Sequence, residues 1–392
     1  MSGGSASAAL PERNSRRLWL RLPLLLGAAV ALMLGIGIGL QRLGWDSLSD
    51  LASLAALHGP LMVCGFFGAV IAIERAVALR QGWAYLAPLC AVLATVAALA
   101  TPWDDFAKAG WILSAAILSA ASLIIAWRHR ALFTVTLFLG AAAWLAGNLA
   151  WMLGSPVEGV VLLWMSFLVL TIAAERLELS RVLRLNGASQ GVFSALVVVL
   201  LVGALTAPID RGVAWPVAGA SLIGFAAWLF RHDVARRTIR LSGLPRYAAS
   251  CLLSGYAWLA VAGLIMLGLP LDMDRLAYDA ALHAIFLGFT FAMIFGHAPI
   301  ILPAVTGVQV PFSILLYAPL VILNISLVGR VGGDLLGALD VRRWSGMLTT
   351  AAIALFIASI IVLVRRSRQR PAARPVCAGT KTGAADNATL AP

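Results

Sequence analysis

Two histidines in this chain follow the same three residues. Ala55-Ala56-Leu57-His58 opens the run AALHGPLMVCGFFGAV, and Ala280-Ala281-Leu282-His283 opens AALHAIFLGFTFAMIFGHAP. Only five histidines occur in 392 residues, so a shared context at two of them has to be weighed against an Ala- and Leu-rich background. Two neutral imidazoles facing each other inside a helix bundle can bind a haem iron from opposite sides, with Nε2 on the metal and Nδ1–H held by an acceptor. The competing reading is a pair of helix-end histidines hydrogen-bonded at the water interface. A second group consists of His297, Glu74 and Glu175, an imidazole and two carboxylates that can converge on a metal ion or a proton path. Each glutamate precedes an arginine, Glu74-Arg75 and Glu175-Arg176. A solvated, snorkelling pair at a membrane edge is the ordinary alternative there.

The elements that position these residues follow from composition. The chain is 61% hydrophobic and 12% charged, with mean hydropathy +0.94. A soluble domain carries roughly a quarter charged residues. Apolar runs long enough to cross a bilayer as helices recur from Leu18 to Val364. The reading is an all-α polytopic membrane protein with about twelve transmembrane helices, over residues 18–40, 51–73, 83–100, 109–127, 131–153, 159–179, 190–207, 212–230, 247–270, 276–303, 312–329 and 345–364. The first run follows Arg13, Arg16, Arg17 and Arg21, is too long for a signal-peptide core and has no small-residue cleavage site, so it reads as a retained span. Residues 1–17 form an N-terminal tail, 18–366 one twelve-helix bundle, and 367–392 an Ala/Pro/Gly/Thr/Arg-rich tail expected to be disordered.

Charge placement orients the bundle. With both termini in the cytoplasm, 22 of the 29 Lys and Arg fall on the inner side and 11 of the 17 acids on the outer side. The positive-inside rule is therefore obeyed, and the net charge of +12 is a topology signal rather than a nucleic-acid surface. The four cysteines contain no CxxC pair, and three of them lie in apolar runs as small hydrophobes.

This topology gives the histidines depths. His58 enters span 2 and His283 enters span 10 from the outer side, at similar depth on different helices. Nearby Gly59, Gly65 and Gly288 allow close approach of a flat ring or a neighbouring helix. His297 follows His283 by 14 residues, which in an unbroken α-helix is roughly 21 Å along the axis and about 40° off the same face. That spacing resembles the two stacked haems of cytochrome b, but span 2 has Ala72 where the partner histidine would stand, so one haem is expected. His297 falls instead at the level of Glu74 and Glu175. Those two sit 101 residues apart at the inner ends of spans 2 and 6, and with the AALH copies on spans 2 and 10 they suggest three four-helix repeats. Pro299 and Pro303 are expected to break span 10 just after His297. Asn148 and Asn324 read as helix–helix glue, and Met62 and Met293 as packing or spare soft ligands.

Twelve spans with outer-leaflet histidines on spans 2 and 10 resemble haem-copper oxidase subunit I, where one histidine from each of those helices holds the low-spin haem. Spans 6 and 7 carry no histidine, so oxygen reduction at a haem-copper centre is excluded on ligand count and no catalytic residue is assigned. The segment ALHAIFLGFTFAMIFG, with LHGPLMVCGFFGAV, is similar to the NnrS family of multi-span haem proteins. The double histidine of that family's early helix is His58-Gly59-Pro60 here, and its Gly-His-Thr-Gly-Arg element is absent. The resemblance implies haem b on His58 and His283, bound copper as a further metal, partners in respiration or denitrification, a nitric-oxide-related stress role and a bacterial inner-membrane location. Electron transfer and haem handling fit the same site. The competing readings are a twelve-span secondary transporter, with Glu74, Glu175 and His297 as coupling groups but no six-plus-six similarity, and a cofactor-free assembly factor of a respiratory complex.

Overall fold

The computed structural model describes residues 9–45, 54–101, 105–183 and 185–369, and the described residues are helical with no strand. Twelve helices are long and apolar enough to cross a membrane: Arg21–Arg42, Leu54–Leu79, Gly82–Ala100, Asp105–Arg128, Leu132–Met152, Val157–Leu179, Gly187–Thr206, Arg211–His232, Leu244–Gly268, Arg275–Thr306, Ile314–Leu335 and Leu339–Ser367. They are numbered spans 1 to 12 in that order, and each overlaps one of the runs expected from the sequence, with residues 51–53 of the second run outside the described residues. The protein is thus an all-helical, multi-pass membrane protein, because in hydrocarbon a helix satisfies its backbone groups within the segment itself.

The first and last helices overrun the expected ends. Span 1 belongs to a helix that starts at Ala9, inside the segment assigned as a tail, and span 12 continues to Gln369. Residues 370–392, most of the expected C-terminal tail, lie outside the described residues.

Sequence neighbours pack as antiparallel hairpins through spans 3 to 6, through spans 7 to 9 and between spans 11 and 12, while span 1 touches spans 10 and 12 and closes the bundle. Span 6 is the axis, with 89% of its most apolar window buried, against 33% for spans 7 and 12. Two apolar cores share it: one is built largely on spans 1 to 6 and 10 to 12, the other on spans 5 to 10. Such a helix is apolar all round because protein surrounds it on every side.

Polar groups inside the bundle act as crosslinks. Asn148 Oδ1 accepts from the Trp164 indole at 2.9 Å and from Cys64 at 3.4 Å, while its Nδ2 donates to the Trp111 carbonyl at 3.2 Å. Asn324 Oδ1 accepts from Trp258 at 2.9 Å. Both amides, Asn148 buried and Asn324 half-buried, join different spans, as expected of polar side chains inside a membrane bundle.

Two ion pairs tie the end of span 6 to its neighbours. Arg75 pairs with Glu175. Arg176 donates twice to Asp233, at 2.6 and 2.8 Å, and the Asp233 carboxylate also accepts from the Tyr256 hydroxyl at 2.5 Å and the Ala235 amide at 2.7 Å.

The irregular backbone is not where the prolines suggested. Pro299 and Pro303 lie inside a continuous α-helix, Ala292–Thr306, which ends only at Gly307 with φ 72°. The departures are π-helical stretches at Leu61–Phe67 in span 2 and Ala284–Phe291 in span 10. Because a π stretch with its wider turn separates His283 from His297, the α-helical phase computed between them does not apply.

Removing the Asp233 carboxylate should leave the Arg176 guanidinium buried without its counterion. Asp233→Ala is expected to cost about 3–5 kcal/mol, read as a lowered melting temperature in detergent. Asp105→Ala removes a partner that is 69% exposed in its pair with Lys108 and should cost under about 1 kcal/mol. Equal losses in the two variants would contradict the assignment of Asp233 as a lock.

Candidate functional site

At the end of the bundle away from these two locks, six helices leave a cavity of about 470 Å³. Its wall comes from the last turns of spans 1 and 11 and the first turns of spans 2, 6, 10 and 12. Ligand pockets fall between roughly 300 and 1,000 Å³. Both His58 and His283 line this one cavity. The two AALH segments therefore deliver their imidazoles to a shared space from different helices, as their common depth predicted.

Each ring is held through Nδ1 by a backbone carbonyl. His58 Nδ1 lies 2.7 Å from the Gly35 carbonyl oxygen, and His283 Nδ1 lies 2.8 Å from that of Asp279. A carbonyl only accepts, so the proton sits on Nδ1, and the Nε2 lone pair of each neutral ring is left for a metal. That is the tautomer a metal-bound histidine needs.

The two rings are positioned by different means. His58 lies across span 1, whose run Leu34-Gly35-Ile36-Gly37-Ile38-Gly39 places Gly35 and Gly39 one turn apart on one face. A Cβ on Gly39 would stand 2.8 Å from His58 Cε1 and 3.1 Å from Nδ1, and one on Gly35 would stand 2.6 Å from Met62 Sδ. Missing side chains on span 1 thus create the seat for the His58 ring. His283 is instead steadied by charge. The Asp279 carboxylate comes within 3.4 Å of its Nδ1 and pairs with Arg330 and, at 2.9 Å, with Arg342. Asp334 closes the cluster with Arg342 at 2.5 Å and Arg330 at 3.4 Å. Two carboxylates and two guanidiniums balance one another, so the cluster adds little net charge at the rim.

Two further arginines line the cavity, Arg42 and Arg275, and neither has an ion pair among the described residues. The deeper wall is apolar and aromatic, with Phe67, Val161, Trp164, Phe286, Phe291 and Ile353. Phe291 stacks on Phe66 at 5.9 Å and meets Phe67 edge-on at 5.4 Å, closing the floor between spans 2 and 10. Both π stretches start within three residues of the histidines and contain these phenylalanines. Such stretches occur frequently at functional sites.

The second group expected from the sequence is assembled only loosely. Glu74 lies in electrostatic range of Glu175 and His297 below the phenylalanine floor. Glu175 is taken by Arg75, and His297 turns its Nδ1 to the Met293 carbonyl at 2.8 Å. Among the described residues no three His, Cys, Asp or Glu side chains are placed to hold a metal ion together, so the metal reading of Glu74, Glu175 and His297 has no geometry behind it. The physical reason is the pairing of Arg75 with Glu175, which gives that carboxylate a counterion within the protein, while Arg176 is committed to Asp233. Reasoning from sequence missed Gly35 and Gly39, for which the small-xxx-small spacing was a readable signal, and the Asp279–Arg330–Arg342–Asp334 cluster, for which there was none.

Residues 21–365 match the family described as "Domain of unknown function (DUF8744)", and the chain belongs to that family. No curated protein matches the chain.

The seat of His58 is open to a direct test. Gly39→Ala forces a methyl into the imidazole and is expected to destabilise the protein by about 1–3 kcal/mol. Gly191→Ala, where a Cβ meets nothing within 4 Å, should be neutral or stabilising by up to about 1 kcal/mol. Thermal melts of the two variants beside the parent would separate these outcomes.

Proposed function

We propose that this DUF8744-family member binds one haem b between His58 and His283, in the manner of the NnrS-like proteins its sequence resembles. The observation that carries the reading is the convergence of both imidazoles on one cavity, each with Nδ1 tied to a carbonyl and Nε2 left over. The rest of the lining fits the same ligand. An aromatic and aliphatic wall suits an apolar macrocycle, and Arg42 and Arg275 at the mouth suit its carboxylates. Haem would supply a one-electron couple at this depth. The chain's own part is to fix two rings, exclude water through the Phe66, Phe67 and Phe291 floor, and counter negative charge at the rim.

His58 and His283 would hold the haem between them, which suits electron transfer, haem handling or a nitric-oxide-linked stress response, and no catalytic residue is assigned. The protein sits in a bacterial inner membrane with both termini cytoplasmic and the cavity facing outward, where respiratory or denitrification partners would meet it. Charge asymmetry between the two faces supports that orientation.

Protein purified from haem-replete cells should show a b-type optical spectrum that sharpens on reduction. His58→Ala and His283→Ala should each abolish the six-coordinate signature while leaving the protein folded in the membrane. A colourless parent protein from such cells would defeat the proposal.

A further inference from the structure

On the face opposite the cavity, spans 8 and 9 are joined by a connection whose chemistry the haem reading does not use. Between residues 231 and 246 it carries Arg231, Arg236, Arg237, Arg240 and Arg246, all exposed and all without an ion pair among the described residues. The one acid in this stretch, Asp233, is buried and fully occupied by Arg176, Tyr256 and the Ala235 amide. We propose that this connection is a folded binding site for the headgroups of anionic phospholipids.

Three observations carry the assignment. First, the segment is ordered rather than a loose basic loop. Asp233 anchors it from inside, and backbone bonds run through Arg237 to Val234, Ile239 to Ala235, Arg240 to Arg237 and Leu241 to Thr238, at 2.8 to 3.2 Å. The backbone that carries the arginines is therefore preorganised, which lowers the ordering cost of binding. Second, the depth is right. Arg231 lies in the last turn of span 8 and Arg246 in the first turn of span 9, so the connection sits at the ends of two apolar spans, where lipid phosphates would meet its guanidiniums. Their planar forks match phosphate oxygens better than a point charge would.

Third, apolar side chains are interleaved with the cations. Phe230 is 37% and Leu241 54% exposed, beside Arg231 and Arg240. A soluble anion has no use for them, whereas the acyl region just below a headgroup does. The connection after span 4 offers a built-in comparison, since it carries only Arg128 and Arg130 and no folded core.

The test uses the full chain in detergent, with melting temperature as the readout. Micelles containing phosphatidylglycerol should raise it on the order of 3 °C above phosphatidylcholine micelles. The triple variant Arg236→Gln/Arg237→Gln/Arg240→Gln should melt like the parent in phosphatidylcholine and lose most of the rise. Arg128→Gln/Arg130→Gln should keep it. If the triple variant is poorly produced, Arg231→Gln/Arg246→Gln serves in its place and should likewise lose the rise. No difference between the lipids overturns the proposal, and so does an equal loss in the Arg128/Arg130 variant, which would mark a general charge effect. A rise reproduced by inorganic phosphate alone also overturns it, because the site would then be for a free anion.

Discussion

Hydrocarbon solvates neither a peptide group nor an ion, so polar groups inside this bundle must find partners in protein. That constraint shapes the interior far from the cavity. Asn148 collects two donors and gives one bond, Asn324 meets Trp258, and Arg176 and Asp233 neutralise each other with the help of Tyr256 and a backbone amide. The π stretches obey the same rule, since widening the turn redirects side chains while every bond stays within the segment. Two indoles, those of Trp111 and Trp215, are buried without a hydrogen-bond partner among the described residues, and neither lines the cavity. Against this background the cavity is distinctive in what it leaves over: two imidazole Nε2 atoms on facing helices, and two arginines whose counterions are not found among the described residues.

What the sequence made legible follows from how far apart the cause and its consequence lie. Hydropathy over some twenty residues is a local property, and all twelve spans were readable from it. The shared depth of His58 and His283 was readable because charge counts orient each helix, and depth then follows from position along it. The relation of His283 to His297 was not, since the inference assumed one helical period and span 10 changes period at Ala284. Proline was a misleading guide for the same reason. Its missing N–H marks where a helix can bend, but span 10 stays α-helical through Pro299 and Pro303 and departs from that period upstream. The Asp279 cluster joins residues 51 and 63 positions apart, a distance at which no pattern in a single sequence speaks. Gly35 and Gly39 stood in plain view, yet a glycine stripe announces close approach without saying that an imidazole is what approaches.

The two ends of spans 2 and 10 differ in a way that bears on what the protein holds. Above the Phe66, Phe67 and Phe291 floor the helices stand apart around a cavity. Below it, Arg75–Glu175 and Arg176–Asp233 fasten span 6 to its neighbours. A transporter cycling between outward and inward access has to open the lower half, and breaking a buried pair such as Arg176–Asp233 by separating its partners leaves two uncompensated charges at a cost of several kcal/mol. The asymmetry therefore suits a ligand that resides more than one that passes through. A resident ligand would also account for the different ways in which the two histidines are held. One ring rests against the Gly35–Gly39 face of span 1, and the other hangs on a four-charge cluster shared by spans 10, 11 and 12. Together they fix the spacing between the imidazoles from both sides of the cavity, which a bis-histidine metal site requires and a translocation pathway does not.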